Sequence, residues 1–480
     1  TFRVLQRDWP GVAGATMGTG SGDRRLSTTG WDVVVPIGAK DVNAVRIVGK
    51  DGIVLFAATG KETNHPWLPA PGAVGSTWAF ADNPRVIPAP QGATPPATDI
   101  PNSGWDLGND APDLYVFLPD RSYGALRRDF LRLTGPSEMP PLFMLGLIDS
   151  KYHPYTEAEA LDRVDQYRKR RIPLDVLTID TDWRLNGSHG YTSDPRYFPD
   201  MPRFIAEAKA KGVRLMYNDH PEPQAPGAFD PKEMNYRWNG LTKLMGEGMD
   251  VWWYDRNWGV SLHEPVPGIH SHLWGMRVYH DMTERFRPTE RPVIMGNVEG
   301  IDNGIRNYAP DVSAHRFSVQ WTGDTTATWP FLRRAVENAV QGGVEALNPW
   351  INDDLGGHNG GQPSPELYIR FMQYGSLAPV MRPHCTRDLE RAPWAFGPEA
   401  ERIVGDYVRM RYRLMPLLYA SARDSYDTGE PIVRRLDLDY PAFEEARRDD
   451  QFLLGTSLLV ATIVEDGATP LSAAWAKTPW

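Results

Sequence analysis

Acidic side chains recur where strand-like apolar segments end in the middle of the chain. These positions are Asp180 with Asp182, Asp219, Asp255, Asp324, and Asp353 with Asp354. A single acidic residue after a strand is usually the N-cap of the next helix. Clustered carboxylates raise each other's pKa and cost stability, so five such positions on one rim favour a functional site. Metal ligation and the acid/base cleavage of a glycosidic bond are the two chemistries that use such a cluster.

Tryptophans interleave with these carboxylates, at Trp183, Trp252, Trp253, Trp321 and Trp350. An indole face that stacks on a sugar, beside carboxylates that bind its hydroxyls, would make a pyranose pocket. The alternative is that these rings fill the core. Because side chains alternate along a strand, we expect one of Trp252 and Trp253 to point inward and the other outward. Glycoside cleavage needs two carboxyl groups, and spacing alone does not choose between the candidates.

The elements that would position these residues alternate between apolar strands and helices. Strands are expected at 142–148, 174–179, 213–217, 250–254, 292–296, 317–322 and 344–347. Thr156 and Glu159 have the spacing of a capping box, which predicts a helix start between the first two strands. About eight strand–helix units predict an α/β fold, a (β/α)₈ TIM barrel with its site at the carboxyl ends of the strands.

The flanking segments have a different pattern. Short β-branched runs predict an N-terminal β-sandwich over 1–121, which contains a proline-rich loop at 86–103. A connecting helix and linker are expected over 122–140, and the barrel over 141–430. The β pattern returns over 431–480, which predicts the start of a truncated C-terminal β-domain.

Composition narrows the class of protein. The 480 residues are 41% hydrophobic and 11% aromatic, which indicates a folded globular chain. With 51 Lys and Arg against 61 Asp and Glu, the net charge of −10 does not favour nucleic acid. The apolar runs are too short for a membrane span. The single cysteine, Cys385, excludes an intrachain disulfide or a cysteine-based zinc site, and no cofactor is expected. Cytoplasmic and secreted locations both stay open, because the sequence begins with Thr1 and we expect its N-terminus to be incomplete. The oligomeric state also stays open.

Several motifs occur in a defined order. They are Leu133-Thr-Gly135 with Met139-Pro-Pro141, the strand 173–183, Trp253-Tyr-Asp255-Arg-Asn257, Arg316 with Trp321-Thr-Gly-Asp324, Asp354-Leu-Gly-Gly357, Arg382-Pro-His384, Gly429-Glu-Pro431 and 450–455. In these motifs the chain resembles glycoside hydrolase family 31, the α-glucosidase and α-xylosidase group, from about Tyr115 to Val464.

The resemblance implies roles for the acidic residues. Asp255 matches the family's nucleophile and Asp324 its acid/base residue, which implies a retaining mechanism through a covalent glycosyl-aspartate intermediate. Asp180, Asp182 and His384 match residues that hold the hydroxyls of the bound sugar. The further candidates for substrate contact are Trp183, Asp219, Trp253, Arg306, Trp321 and Asp354.

Some positions depart from the family pattern. Trp258 stands where many members have Glu, and His358 stands where they have Phe. The segment Asn218-Asp-His-Pro221 also differs from the usual glucosidase form. These departures leave the two catalytic candidates in place and leave the identity of the sugar open.

The expected function is therefore a retaining α-glycoside hydrolase that cleaves terminal α-linked sugars, with an oligosaccharide or glycoside as substrate and α-glucosides favoured. Alternatives on the same fold are an α-transglycosylase and an α-galactosidase or α-N-acetylgalactosaminidase. A non-catalytic sugar-binding relative is another. A metal-dependent barrel hydrolase could use Asp180, Asp182, His220 and the His270/His272 pair. No metal site is assigned, because His270 and His272 are expected to open a helix.

Overall fold

The computed structural model describes most of the chain. The described residues are 2–4, 16–19, 22–39, 44–58, 114–116, 123–186, 189–256, 261–263, 271–298, 300–307, 315–317, 319–345, 349–440 and 442–468.

Antiparallel strands form the N-terminal region. They are β1 (Phe2–Val4), β2 (Thr16–Thr19), β3 (Asp23–Ser27), β4 (Trp31–Pro36), β5 (Arg46–Gly49), β6 (Val54–Ala57) and β7 (Leu114–Val116). Strands β2 to β6 form a five-stranded meander, and β1 pairs with β7. Val33, Val45, Ile47 and Phe56 bury one face of the meander. The predicted loop at 86–103 lies outside the described residues.

The central region alternates strands and helices. Its strands are β8 (Ile148–Asp149), β9 (Val176–Ile179), β10 (Arg184–Asn186), β11 (His189–Ser193), β12 (Arg214–Asp219), β13 (Val251–Tyr254), β14 (Ile294–Asn297), β15 (Ile301–Asp302), β16 (Ile305–Arg306), β17 (Val319–Trp321) and β18 (Ile351–Asn352). Its helices are α1 (Tyr123–Thr134), α2 (Glu157–Lys169), α3 (Met201–Ala210), α4 (Pro231–Glu247), α5 (Ser271–Phe286), α6 (Trp329–Glu345), α7 (Pro365–Leu377), α8 (Pro398–Arg413) and α9 (Met415–Thr428).

Seven of the strands form one parallel sheet, in the order β18-β17-β14-β13-β12-β9-β8. Residues 381–383 take the eighth position, since Met381 bridges Leu147 on one side and Pro383 bridges Leu355 on the other, both in parallel. The Ile148 amide donates to the Met381 carbonyl at 2.9 Å, which closes the ring. The (β/α)₈ barrel predicted from the alternation is confirmed.

The barrel has an inner and an outer apolar layer. Trp253 lies inside, in one cluster with Met216 and Val319. Trp252 lies in the cluster between the sheet and the helices, against Trp183 and Tyr191. The predicted opposite orientation of Trp252 and Trp253 is therefore confirmed.

The start of α2 is also as predicted. The Thr156 hydroxyl accepts from the Glu159 amide at 3.2 Å, and the Glu159 carboxylate accepts from the Thr156 amide at 2.9 Å. This pair is a capping box, which satisfies two backbone donors that a helix start leaves unpaired.

Two predicted elements differ from the structure. The strand expected at 344–347 is wrong, because α6 continues to Glu345 and β18 comes later, at 351–352. Val336 and Val340 are buried four residues apart, and that helical spacing extends to position 344. The strand expected at 142–148 is a 3₁₀ turn (Leu142–Leu145) followed by β8, because Pro140 and Pro141 supply no backbone N–H to a ladder. After the last barrel strand, α8 and α9 follow one another and separate at Leu414, because Pro416 cannot donate the hydrogen bond that would continue α8.

A three-stranded antiparallel sheet follows the barrel. It comprises β19 (Val433–Arg434), β20 (Gln451–Leu454) and β21 (Leu458–Ala461). The domain boundaries at 121, 140 and 430 stay predictions. In the described part of the chain, no helix combines the length and apolar character that crossing a bilayer requires.

Candidate active site

A cavity of about 290 Å³ opens at the carboxyl ends of the barrel strands. Its acidic and histidine lining consists of Asp180, His220, Asp255, Asp324, His358 and His384. Trp253 and Tyr152 add aromatic surface. Three of the carboxylates that the sequence predicts on this rim, Asp180, Asp255 and Asp324, therefore line one defined pocket.

A larger cavity, of about 570 Å³, lies between the outer helices and β20–β21. Its charged groups already have partners: Arg333 pairs with Glu465 at 2.5 Å, and Arg448 pairs with Asp450. Titratable groups with strongly shifted pKa values converge in the smaller pocket, which is typical of a functional site.

Asp255 directly follows β13 and is 4% exposed. Asn218, on the neighbouring strand β12, donates its side-chain amide to Asp255 Oδ2 at 2.9 Å. His220 Nε2 lies 3.1 Å from the same oxygen. Because both contacts fall on Oδ2, the end of β12 and the residue that follows it orient this carboxylate.

Asp324 stands after β17, in a turn that needs a glycine before it. Gly323 has φ +91°, and a Cβ there would lie 2.6 Å from the Asn303 backbone nitrogen. The Asn303 side chain accepts from the Asp324 amide at 3.1 Å. Burial, followed by the charges of Asp354, Asp255 and Asp180, raises the pKa of Asp324 to about 9. This carboxyl group therefore holds a proton at neutral pH, as a general acid must.

His358 lies in the loop after β18. This loop is hydrogen-bonded to the loop after β17, which contains Asp324. The Ala327 amide donates to the Asn359 carbonyl at 2.9 Å, and a Cβ on Gly357 would lie 2.2 Å from Ala327. His358 Nδ1 lies 3.4 Å from Asp324 Oδ1. Burial, helped by the nearby Arg382 charge, lowers the pKa of His358 to about 4, so the imidazole is neutral at pH 7.

His384 and Asp180 form the opposite wall. His384 Nδ1 lies 2.7 Å from Ser150 Oγ, and its Nε2 lies 4.0 Å from Asp180 Oδ2. Burial lowers the pKa of His384 well below its usual value. Burial also raises the pKa of Asp180 to about 7, and the Asp255 charge adds to that shift.

A buried ion pair lies beneath the pocket. Arg382 and Asp354 are fully buried and joined directly, and the Trp321 indole donates to Asp354 Oδ1 at 2.7 Å. The Arg382 guanidinium lies 4.8 Å from the Trp253 ring centroid. Asp354 and Trp321 are therefore behind the described lining, where they support Trp253.

The other predicted substrate contacts lie elsewhere. Asp219 accepts hydrogen bonds from the side chains of Arg184, Tyr279 and Tyr191, the last at 2.7 Å. These three residues lie outside the described lining of the pocket. Asp182 accepts a hydrogen bond from the Arg387 guanidinium at 2.7 Å. Trp183 is fully buried, and its indole donates to the Asn218 carbonyl at 2.9 Å.

Arg306 lies in the β15–β16 hairpin, where its charge acts on Glu337 and Asp449. Four of the tryptophans fill the core, which was the alternative to stacking on a sugar. They are Trp183, Trp252, Trp321 and Trp350, and each is at most 1% exposed. Asn257, Trp258 and His270 lie outside the described residues, and His272 lies in the first turn of α5.

Three residues at the site are not among the catalytic or substrate-contact residues that the sequence predicts. They are Asn218, His220 and Tyr152. Strand alternation was the available signal for two of them. Met216 is in the inner layer and Tyr217 in the outer, so Asn218 and His220 continue the inner face while Asp219 continues the outer.

Sequence comparison finds relatives that share this architecture. The profile of the glycosyl hydrolases family 31 TIM-barrel domain matches residues 137–224 and 219–421, and that of the family 31 C-terminal domain matches 429–480. Alpha-glucosidase 2 of Bacillus thermoamyloliquefaciens is 27% identical over 421 residues, 77% of this chain and 52% of the relative. An alpha-xylosidase of Saccharolobus solfataricus is 24% identical over 396 residues, 75% of this chain and 53% of the relative. The chain thus spans about half the length of these curated relatives.

Among solved structures, a mutant of a Flavobacterium johnsoniae dextranase complexed with isomaltotriose has a similar fold. Its TM-score is 0.70 at 18% identity, over 95% of this chain and 68% of the dextranase.

Proposed function

The chain belongs to glycosyl hydrolase family 31, and from this we propose that it is a retaining α-glycoside hydrolase for terminal α-linked sugars, with α-glucosides favoured. The observation that carries the proposal is the contrast between two carboxyl groups in one pocket. Two neighbouring side chains hold Asp255, whereas Asp324 has its pKa raised to about 9. When the surroundings of two nearby carboxyl groups shift their pKa values apart, the ionised group can act as nucleophile and the protonated group as acid.

The proposed reaction has two steps. Asp324 gives its proton to the glycosidic oxygen while Asp255 attacks the anomeric carbon, so the leaving alcohol departs and a glycosyl-Asp255 ester forms. The ionised Asp324 then takes a proton from water, which attacks the same carbon and releases Asp255. Two inversions return the α-anomer.

We place the sugar between the Asp180–His384 wall and the Trp253 ring. Asp180 and His384 supply polar atoms for its hydroxyls, and Trp253 supplies an apolar face. In this proposal Asp182, Asp219, Asp354, Trp183 and Trp321 support the pocket instead of touching the sugar.

Two alternatives share the same catalytic pair. A transglycosylase differs only in whether a second sugar or water reaches the intermediate. An α-galactosidase or α-N-acetylgalactosaminidase stays a candidate because His358, a departure from the family pattern, lies in the pocket lining. Of the residues that a metal-dependent hydrolase would need, Asp180 and His220 line the described pocket, while Asp182 is bonded to Arg387.

A screen of aryl α-glycosides tests the proposal with the full chain. The glucoside, galactoside, xyloside and N-acetylgalactosaminide are compared, and we expect turnover of at least one. Asp255→Ala should lower that kcat by several orders of magnitude, whereas Asp162→Ala, an exposed carboxylate on α2, should leave it unchanged. The proposal fails if no glycoside turns over or if Asp255→Ala keeps near-native activity.

A further inference from the structure

Four side chains in and beneath the pocket bring metal-ligating atoms together. One ligand atom from each of Asp324, Asp354, His358 and His384 lies within 4.8 Å of the others. We propose that three of them, Asp324, His358 and His384, bind one Zn²⁺-like divalent transition-metal ion in the space that the sugar would occupy, while Asp354 stays paired with Arg382. Binding is independent of the proposed function, because it needs no substrate and no turnover.

The ligand types and spacing suit zinc. Two imidazoles and a carboxylate, with a fourth position open, form a common zinc ligand set. At metal–ligand distances of about 2.0–2.2 Å, the ligands of a tetrahedral ion lie roughly 3.4 Å apart. The His358 Nδ1 to Asp324 Oδ1 distance of 3.4 Å already has this value. Shifts of about 1 Å in the remaining side chains would complete the set.

His358 offers a buried nitrogen whose contact with Asp324 Oδ1, at 3.4 Å, does not have the geometry of a hydrogen bond. His358 is 9% exposed, and its Nδ1 is fully buried without a hydrogen-bond partner among the described residues. A buried polar atom left unpaired costs about 1–3 kcal/mol. A bound ion would provide the missing partner for this nitrogen.

His384 is oriented for ligation by its surroundings. Its Nδ1 lies 2.7 Å from Ser150 Oγ, and the Ser150 backbone also hydrogen-bonds the imidazole. Ser150 Oγ in turn accepts from Arg382 at 3.0 Å. A proton held on Nδ1 leaves the Nε2 lone pair directed into the pocket, which is how metal-binding histidines are usually arranged.

The pocket also offers further carboxyl oxygens to a cation. Asp180, Asp255, Asp324 and Asp354 surround it, and Arg382 is paired with one of them, Asp354. When the metal binds, Asp324 releases its proton to solvent, so the ion replaces a proton at that oxygen.

A second group, His280 with Asp281 and Glu284, has similar spacing and carries no such proposal. His280 Nε2 already lies 2.7 Å from Glu138 and its Nδ1 lies 3.2 Å from Asp281. Both nitrogens of this imidazole are therefore occupied.

Titration calorimetry with ZnCl₂ on the chelator-treated full chain tests the proposal. We expect one Zn²⁺ per chain, and at least about tenfold weaker binding for His358→Phe, since losing even a residue that only hydrogen-bonds a metal ligand costs about 10- to 100-fold in metal affinity. Phe is the residue that the family pattern has at this position. The matched control is His153→Phe, a half-buried histidine outside the described pocket lining, which should bind Zn²⁺ like the unaltered chain.

Circular dichroism shows whether His358→Phe is folded, and Asp324→Asn, with the same expected loss, replaces it if it is not. The proposal is overturned if the unaltered chain binds no Zn²⁺, or if the folded ligand variant binds as tightly as the control. Glycoside turnover without Zn²⁺ binding contradicts only this proposal, and Zn²⁺ binding without turnover contradicts only the proposed hydrolase.

Discussion

Removing the His220 contact should slow the attack of the nucleophile. His220 Nε2 lies 3.1 Å from Asp255 Oδ2, and both residues are at most 4% exposed. A hydrogen bond to a charged group contributes about 1.5–3 kcal/mol, and about 1.36 kcal/mol is tenfold in rate. We therefore expect His220→Phe to lower kcat/KM by roughly 10- to 150-fold. His220→Gln, which keeps a side-chain donor, should recover part of this loss.

The assay compares kcat/KM on two substrates with different leaving groups. His220 is a positioning residue that acts through the attacking carboxylate, Asp255. The loss should therefore be the same factor for a dinitrophenyl glycoside and for a disaccharide. Asn218 still donates to Asp255 Oδ2 at 2.9 Å in these variants, so the carboxylate keeps that contact.

Two results would refute this reasoning. Near-native kcat/KM in His220→Phe would show that the contact does not act in the first step. Equal losses in His220→Phe and His220→Gln, with both variants folded, would show that the volume of the imidazole matters and its hydrogen bond does not.

Three further predictions concern the acid and the buried ion pair. Asp324→Ala should lose far more activity on a disaccharide than on a dinitrophenyl glycoside, because a good leaving group needs no proton, and equal losses would argue against its role. The protonated form of Asp324 is the proton donor, and its pKa is raised to about 9. In a pH–rate profile, kcat/KM should therefore fall as the pH rises through about 9. A fall that is already complete as the pH rises through about 4 would contradict the assignment. Arg382→Met leaves Asp354 buried and unpaired, so the free energy of unfolding in urea should drop by about 3–5 kcal/mol, and a loss below about 1 kcal/mol would contradict the pairing.

The sequence predicts the barrel well because its strands are short, apolar and separated by capped helices. Asp180, Asp255 and Asp324 could be placed on one rim because each directly follows, or nearly follows, a strand of a parallel sheet. The strand at 344–347 was mistaken because apolar spacing over so few residues fits the end of a helix as well as a strand.

Which acidic residues face the pocket was harder to predict. Asp219 ends β12 and looks equivalent to Asp255 in the sequence, yet it faces the helices and meets Arg184. Inward or outward direction depends on strand register, which a single residue more or less reverses. The pairing of Asp182 with Arg387, 205 residues away, depends on loop contacts that no local pattern encodes.

The anomer that forms first tests the central claim most directly. Proton NMR during the first minutes of hydrolysis, before mutarotation, identifies the initial sugar product of the full chain. If Asp255 forms a covalent intermediate and Asp324 serves as acid and then base, the α-anomer appears first. Initial release of the β-anomer would mean a single inversion, and it would contradict the roles proposed for both aspartates.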